Sequence, residues 1–164
     1  MKNFFLISTG GSGGHVIPAT ILYDHLKDTN NVIISSDKRG LKFFDRNQYE
    51  FEIINTPKLN NIFFLPFNLI IILFLTLRSF FLLRSRKIKK IISTGGYMSL
   101  PLIFAARILS LDIYLLEPNQ VLGRANKFFL KSCKNIFCYN INIKNFPNDF
   151  KDKIITIYPL VKKH

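Results

Sequence analysis

An alternation limits the fold of this chain more than any other feature. Short apolar runs at residues 4–7, 31–35, 51–54, 91–92, 113–116, 136–139 and 154–157 are separated by segments with helical spacing or charge. Runs apolar at successive positions suit strands covered on both faces, since a half-exposed sheet would place alternate residues in water. Helical segments are expected at 15–27, 67–87, 100–109 and 122–131, with a short charged helical piece at 39–46. The pattern predicts an α/β domain, a Rossmann-like doubly wound parallel sheet with helices on both faces, whose ligands lie beyond the C-terminal ends of the strands. At 164 residues there is room for one such domain.

The loops at those ends are rich in glycine. Thr9-Gly10-Gly11-Ser12-Gly13-Gly14-His15-Val16-Ile17-Pro18-Ala19 joins the first run to the first helix. Few β-carbons stand in the way there, so backbone N–H groups and the positive end of a helix can meet an anion such as a diphosphate. A tight turn without a ligand is the alternative. Ser93-Thr94-Gly95-Gly96-Tyr97-Met98-Ser99-Leu100-Pro101 repeats the pattern after the fourth run. The first and fourth strands of a doubly wound sheet are neighbours, so both loops would flank one crevice. A third loop, Glu117-Pro118-Asn119 before Gly123, brings a carboxylate and an amide suited to sugar hydroxyls, or else to capping a helix that starts near Val121. The dinucleotide fingerprint fails at Val16, where a small residue is required, and no Lys-Ser or Lys-Thr pair closes a Walker loop. Asp37 and Asp112 read as solvated residues, and no carboxylate cluster suggests a metal.

Charge adds a constraint on partners. Lys plus Arg number 23 against 10 Asp plus Glu, a formal net charge of +13, which fits nucleic acid, an anionic membrane surface or a phosphorylated substrate. Cys133 and Cys138 lack zinc-site spacing and read as buried or half-buried thiols of a reducing compartment. Met1-Lys2-Asn3 and four apolar residues are too short for a signal-peptide core, so a cytoplasmic location is expected.

The longest apolar stretch, residues 62–83, raises the question of a membrane. Pro66 suits a first helical turn, and residues 67–87 would extend it for about 30 Å. Arg78 and Ser79 interrupt a run that needs about 20 apolar residues to span. Asn68, Thr76, Ser79 and Arg86 fall on a narrow stripe expected to face water or the sheet's polar edge. The apolar face of Phe67, Leu69, Ile70, Leu73, Phe74, Leu77, Phe80 and Phe81 is followed by Arg84, Arg86 and Lys87, then Lys89 and Lys90. An interfacial helix at about 66–87, its apolar face among lipid tails and its cations on anionic headgroups, fits best. A buried core helix is the alternative.

Together the three loops, GGSGGHxxPA at 10–19, GGYxSxP at 95–101 and ExNxxxGxxN at 117–126, resemble the N-terminal half of the MurG family. The resemblance covers nearly the whole chain in order and spacing. It implies the acceptor half of a GT-B glycosyltransferase that moves N-acetylglucosamine from UDP-N-acetylglucosamine to lipid I, undecaprenyl-diphospho-N-acetylmuramoyl-pentapeptide, in peptidoglycan synthesis. It further implies a peripheral place on the cytoplasmic face of the plasma membrane, with no cofactor, no metal and no nucleic acid. In the family, residues matching Gly10, Gly11, Ser12, Gly13, Gly14, Gly95, Gly96, Tyr97, Ser99, Asn119 and Asn126 would bind the acceptor, and those matching His15 and Glu117 would serve catalysis. His15, at a helix start, suits a neutral base for the acceptor hydroxyl, or a brace for its own loop. Leu116 and Pro118 depart from the family's usual His and Gln. The sequence ends near the family's interdomain linker, so the donor domain is expected to be missing and activity to require one. A non-catalytic lipid-diphosphate or membrane-binding module, or a nucleotide-binding Rossmann protein, are the alternative readings.

Overall fold

Among the described residues, seven strands pair into one sheet: β1 (Phe4–Ser8), β2 (Asn31–Ser36), β3 (Phe51–Ile53), β4 (Lys90–Ser93), β5 (Asp112–Glu117), β6 (Asn135–Cys138) and β7 (Ile154–Thr156). The computed structural model describes residues 3–45, 47–57 and 62–162; Met1, Lys2 and Arg46, which the sequence reading used, lie outside the described residues. Every pairing is parallel, in the order β3-β2-β1-β4-β5-β6-β7. That order reverses direction between β1 and β4, as a doubly wound sheet requires. The helices are α1 (Gly13–Leu26), α2 (Leu65–Ser85), α3 (Leu100–Ile108) and α4 (Arg124–Phe129).

Alternate residues along the central strands feed two separate cores, because successive β-carbons point to opposite faces. Ile7, Val32 and Ile34 pack with Ala19 and Tyr23 of α1. Leu6, Ile33, Ile91, Ile113 and Leu115 pack on the other side with Leu75 and Leu83 of α2, Leu102 and Ala106 of α3, and Phe129 of α4. Cys133 and Cys138 sit in this second core as free thiols. Burial raises both thiol pKa values, and with Glu117 nearby that of Cys138 is pushed up to about 12.

Two expected helices are shorter than their patterns. The piece at 39–46 is a single 3-10 turn, Gly40–Phe43. At 122–131 only Arg124–Phe129 is α-helical, since Gly123 is held by Glu117 and the chain then turns through Ser132 and Cys133 N–H bonds to the Phe129 carbonyl. Lys153 finishes that turn: its ammonium donates to the carbonyls of Leu130 (2.7 Å) and Cys133 (2.8 Å). Hydrogen bonds to a charged group contribute about 1.5–3 kcal/mol. Partly exposed as it is, Lys153→Met is expected to lower unfolding stability in urea by about 1–2 kcal/mol; an unchanged midpoint would show the cap to be idle.

Helix α2 turns its polar stripe inward and its apolar face outward. Asn68, Ile72, Leu75, Thr76, Ser79 and Leu83 form the buried stripe. Of the stripe expected to face water or the sheet's polar edge, Asn68, Thr76 and Ser79 face the domain, and Thr76 Oγ1 donates to the Ile72 carbonyl at 2.8 Å. Phe67, Leu69, Ile70, Leu73 (71 % exposed), Phe74 (68 %), Leu77 and Phe81 point outward, which excludes a buried core helix. Phe80, expected on the outer face, packs partly against the core. By length and composition α2 could cross a membrane, but one side of it is already packed on protein. Arg86 is exposed and paired with Glu50 (2.7 Å) and Glu52 (3.4 Å).

Candidate functional site

The loops after β1, β4 and β5 converge. Thr94 N–H donates to the Ser8 carbonyl at 3.0 Å and Thr94 Oγ1 to Thr9 Oγ1 at 2.9 Å, which fixes the first two loops edge to edge. His15, in the first turn of α1, reaches across them, its Nδ1 lying 2.7 Å from the Thr94 carbonyl. A carbonyl only accepts, so Nδ1 carries a proton, and the neutral form of the ring then offers Nε2 as a lone pair. The brace and the base are thus compatible uses of one ring. A β-carbon added at Gly95 would stand 3.1 Å from His15 Cε1 and 3.4 Å from Asn126 Nδ2, so all three loops meet at this glycine.

Not every glycine N–H faces the crevice. Gly11 N–H donates to Asp37 Oδ1 (2.8 Å) and Gly95 N–H to Ser93 Oγ (3.2 Å). Gly13 and Gly14 instead occupy the first turn of α1, where a helix offers its N–H groups no internal partner, and Ser12 at the N-cap makes no side-chain cap bond. Gly96 has φ +86°, which an L side chain adopts only under strain, and Met98 lies directly against it. Tyr97 opens the 3-10 turn Tyr97–Ser99 and is half-buried. Ser99 is fully buried and bonded to Ser93 Oγ (2.8 Å) and the Gly95 carbonyl (3.4 Å), so it supports the second loop and does not line the crevice as expected.

Glu117, 1 % exposed, organises the third loop. Oε1 accepts from the backbone and side chain of Asn119 (3.2 and 3.0 Å), and Oε2 from Gly123 N–H (2.8 Å) and Asn126 Nδ2 (3.0 Å). The N-cap of α4 is Gly123, so neither Glu117 nor Asn119 takes the capping position considered from sequence. Asn126 also donates to the Leu116 carbonyl (3.2 Å), and its Oδ1 is buried without a partner among the described residues. Asn119 is exposed at the rim.

Two residues of this neighbourhood escaped the sequence reading. Asp37, expected to be solvated, is 4 % exposed. Its Oδ1 takes the N–H of Gly11 (2.8 Å) and of Gly40 (2.9 Å), and its Oδ2 takes Arg39 Nε (2.8 Å) and Nη2 (2.7 Å). Arg39 Nη2 also donates to the Tyr97 hydroxyl, and the guanidinium lies over that ring at 5.4 Å. The legible signal was Asp37 three residues before Gly40, the spacing by which an aspartate caps a turn. Asp112, the other aspartate expected in solvent, is partly buried and paired with Lys134 at 2.7 Å.

Burial alone would raise the Asp37 pKa, but the Gly11, Gly40 and Arg39 donors outweigh it and hold the value below the ordinary 3.8. A carboxyl depressed on folding stabilises the fold above its unfolded pKa, and that contribution is lost as pH falls through the folded one. Acid titration of stability is therefore expected to be less steep below the ordinary value of 3.8 in Asp37→Asn than in the unaltered protein. Parallel acid-unfolding curves would contradict this.

Comparison with known proteins agrees with the fold. The family model described as the glycosyltransferase family 28 N-terminal domain matches residues 5–138. The UDP-N-acetylglucosamine–N-acetylmuramyl-(pentapeptide) pyrophosphoryl-undecaprenol N-acetylglucosamine transferase of Pelagibacter ubique is 52 % identical over 165 residues, covering 100 % of this chain and 46 % of that protein. The transferase of the same description from Rickettsia prowazekii is 36 % identical over 168 residues, covering 100 % of this chain and 42 % of its own. Among solved structures, Acinetobacter baumannii MurG superposes with a TM-score of 0.79 at 21 % identity, over 98 % of this chain and 47 % of that one, which shows the fold. The chain spans about half the length of these relatives.

Proposed function

The chain belongs to glycosyltransferase family 28, whose N-terminal domain it carries, and from that premise we propose that it is the acceptor-binding half of a MurG-like N-acetylglucosaminyltransferase. The acceptor is a lipid I-type molecule, an undecaprenyl diphosphate bearing N-acetylmuramoyl-pentapeptide, and the donor is UDP-N-acetylglucosamine. The observation that carries the reading is the convergence of His15, Gly95 and Asn126 at one point above β1, β4 and β5. The diphosphate sits against the first turn of α1 and the second glycine loop. His15 Nε2 takes the proton as the acceptor hydroxyl attacks the sugar carbon and UDP departs. Glu117, with both oxygens already occupied, acts by fixing Asn119 and Asn126.

Helix α2 supports the lipid part of this reading. As the crossover between the parallel strands β3 and β4, it runs from the crevice end of the sheet to the opposite end. Its outward apolar face therefore begins at the same end of the sheet as the crevice, the end at which a lipid-linked acceptor would meet the bilayer. We place the domain peripherally on the cytoplasmic face of the plasma membrane. The test is a chimera: this chain joined to the C-terminal half of the Pelagibacter relative and assayed for transfer to a lipid I analogue. No transfer by a folded, donor-binding chimera would sink the proposal. The 164-residue chain by itself is expected to show no calorimetric binding of UDP-N-acetylglucosamine, since in this reading the donor is held by the other half; micromolar affinity would contradict that division of labour.

A further inference from the structure

The two glycine loops are joined a second time, away from His15. Asp37 lies directly beneath the first loop: a β-carbon at Gly10 would stand 2.7 Å from its Oδ1, and that oxygen already holds Gly11 N–H at 2.8 Å. The other oxygen holds Arg39, and Arg39 holds the Tyr97 hydroxyl of the second loop. The chain of contacts runs Gly11, Asp37, Arg39, Tyr97, from one wall of the crevice to the other. It also contains an electrostatic conflict. A buried carboxylate under an anion-binding loop opposes the anion, and the opposition is strong where water is excluded. Arg39 is its ion-pair partner, bonded through two nitrogens.

We infer that Asp37 and Arg39 are a positioning pair for the acceptor crevice: Asp37 clamps the first glycine loop from below, while Arg39 cancels that carboxylate's charge and ties it to Tyr97, setting the separation of the two loops. The inference rests on the diphosphate reading of the crevice proposed above. Arginine suits the task because its planar fork can serve a carboxylate and a hydroxyl at once, which a lysine ammonium does with far less directional control. Neither residue is assigned a contact to the substrate.

A substitution cycle tests this, using calorimetric titration of the 164-residue chain with geranyl diphosphate as the probe and amide hydrogen exchange without any ligand. Arg39→Ala leaves the carboxylate unpaired and is expected to weaken probe binding at least tenfold. It should also speed exchange at the Tyr97–Ser99 turn at least tenfold, although the substitution lies in another loop. Adding Asp37→Asn to Arg39→Ala removes the repulsion, so the double variant should bind the probe at least threefold more tightly than Arg39→Ala. A merely structural pair would give the opposite order, because two lost contacts destabilise more than one. If Arg39→Ala does not fold, Arg39→Gln keeps the length and a donor and carries the same comparison. Unchanged binding and exchange would overturn the inference. A double variant as weak as Arg39→Ala would overturn it too, by making Arg39 a direct anion contact. Failure of the unaltered chain to bind the probe, with exchange at Tyr97–Ser99 still accelerated by Arg39→Ala, would instead retire the diphosphate reading and leave only the tie between loops.

Discussion

His15→Ala, in the chain joined to a donor half, should lower the rate of sugar transfer by about 10²- to 10⁴-fold, the usual consequence of losing a general base, while acceptor binding changes only a few-fold. Two facts separate those effects. The ring's link to the first two loops is one hydrogen bond to the Thr94 carbonyl, and the backbone bond from Thr94 to Ser8 and the Thr94–Thr9 hydroxyl bond remain when it is gone. The loops therefore keep their places and the N–H groups at Gly13 and Gly14 stay where they were. Proton removal loses its acceptor, because the only other carboxylate or imidazole in the three loops is Glu117, whose oxygens are spent on Asn119, Gly123 and Asn126. His15→Gln sharpens the test. An amide can restore the bond to Thr94 but cannot take a proton, so it should bind acceptor like the unaltered enzyme and turn over like alanine. Equal losses in binding and rate for both substitutions would make His15 a contact to the acceptor and not its base.

The same residues show how far sequence reaches. Apolar runs such as 31–35 and 113–116 announce strands covered on both faces, and physical chemistry leaves a chain of this length few ways to cover seven of them. The glycine loops were legible because a glycine cluster between a strand and a helix occurs twice, at 10–14 and at 95–96. Partnering was not legible. Asp37 and Ser99 have the composition of surface residues, and only the fold brings Gly11 to one and Ser93 to the other. The polar stripe of helix α2 was left open between water and the sheet's polar edge, and only the fold sets it against the domain. When the outside is lipid, small polar residues belong inside, as Thr76 and Ser79 are.

That inversion yields the second large effect. Leu73 and Phe74 are the most exposed apolar residues of α2 and take no part in the core. Burying one such side chain contributes about 1.5–3 kcal/mol, so removing both from the lipid contact costs roughly 3–6 kcal/mol, and placing carboxylates there costs more. Leu73→Glu with Phe74→Glu should therefore reduce binding to anionic vesicles by at least about 10²-fold while circular dichroism and the melting transition stay unchanged. The same replacement at Leu75 or Leu83 should unfold the domain, since those side chains are buried on the opposite side of the helix. Cations supply the remainder, about 1 kcal/mol each near an anionic surface and screened by salt. Arg84→Ala should thus weaken binding more than Arg86→Ala, because Arg86 already spends its charge on Glu50 and Glu52. High salt alone should release only part of the unaltered protein, leaving the apolar share in place. Vesicle flotation settles it: if the Leu73→Glu, Phe74→Glu protein floats with anionic vesicles as the unaltered chain does, α2 is not the membrane contact, and the tail of the acceptor must leave the crevice by another face.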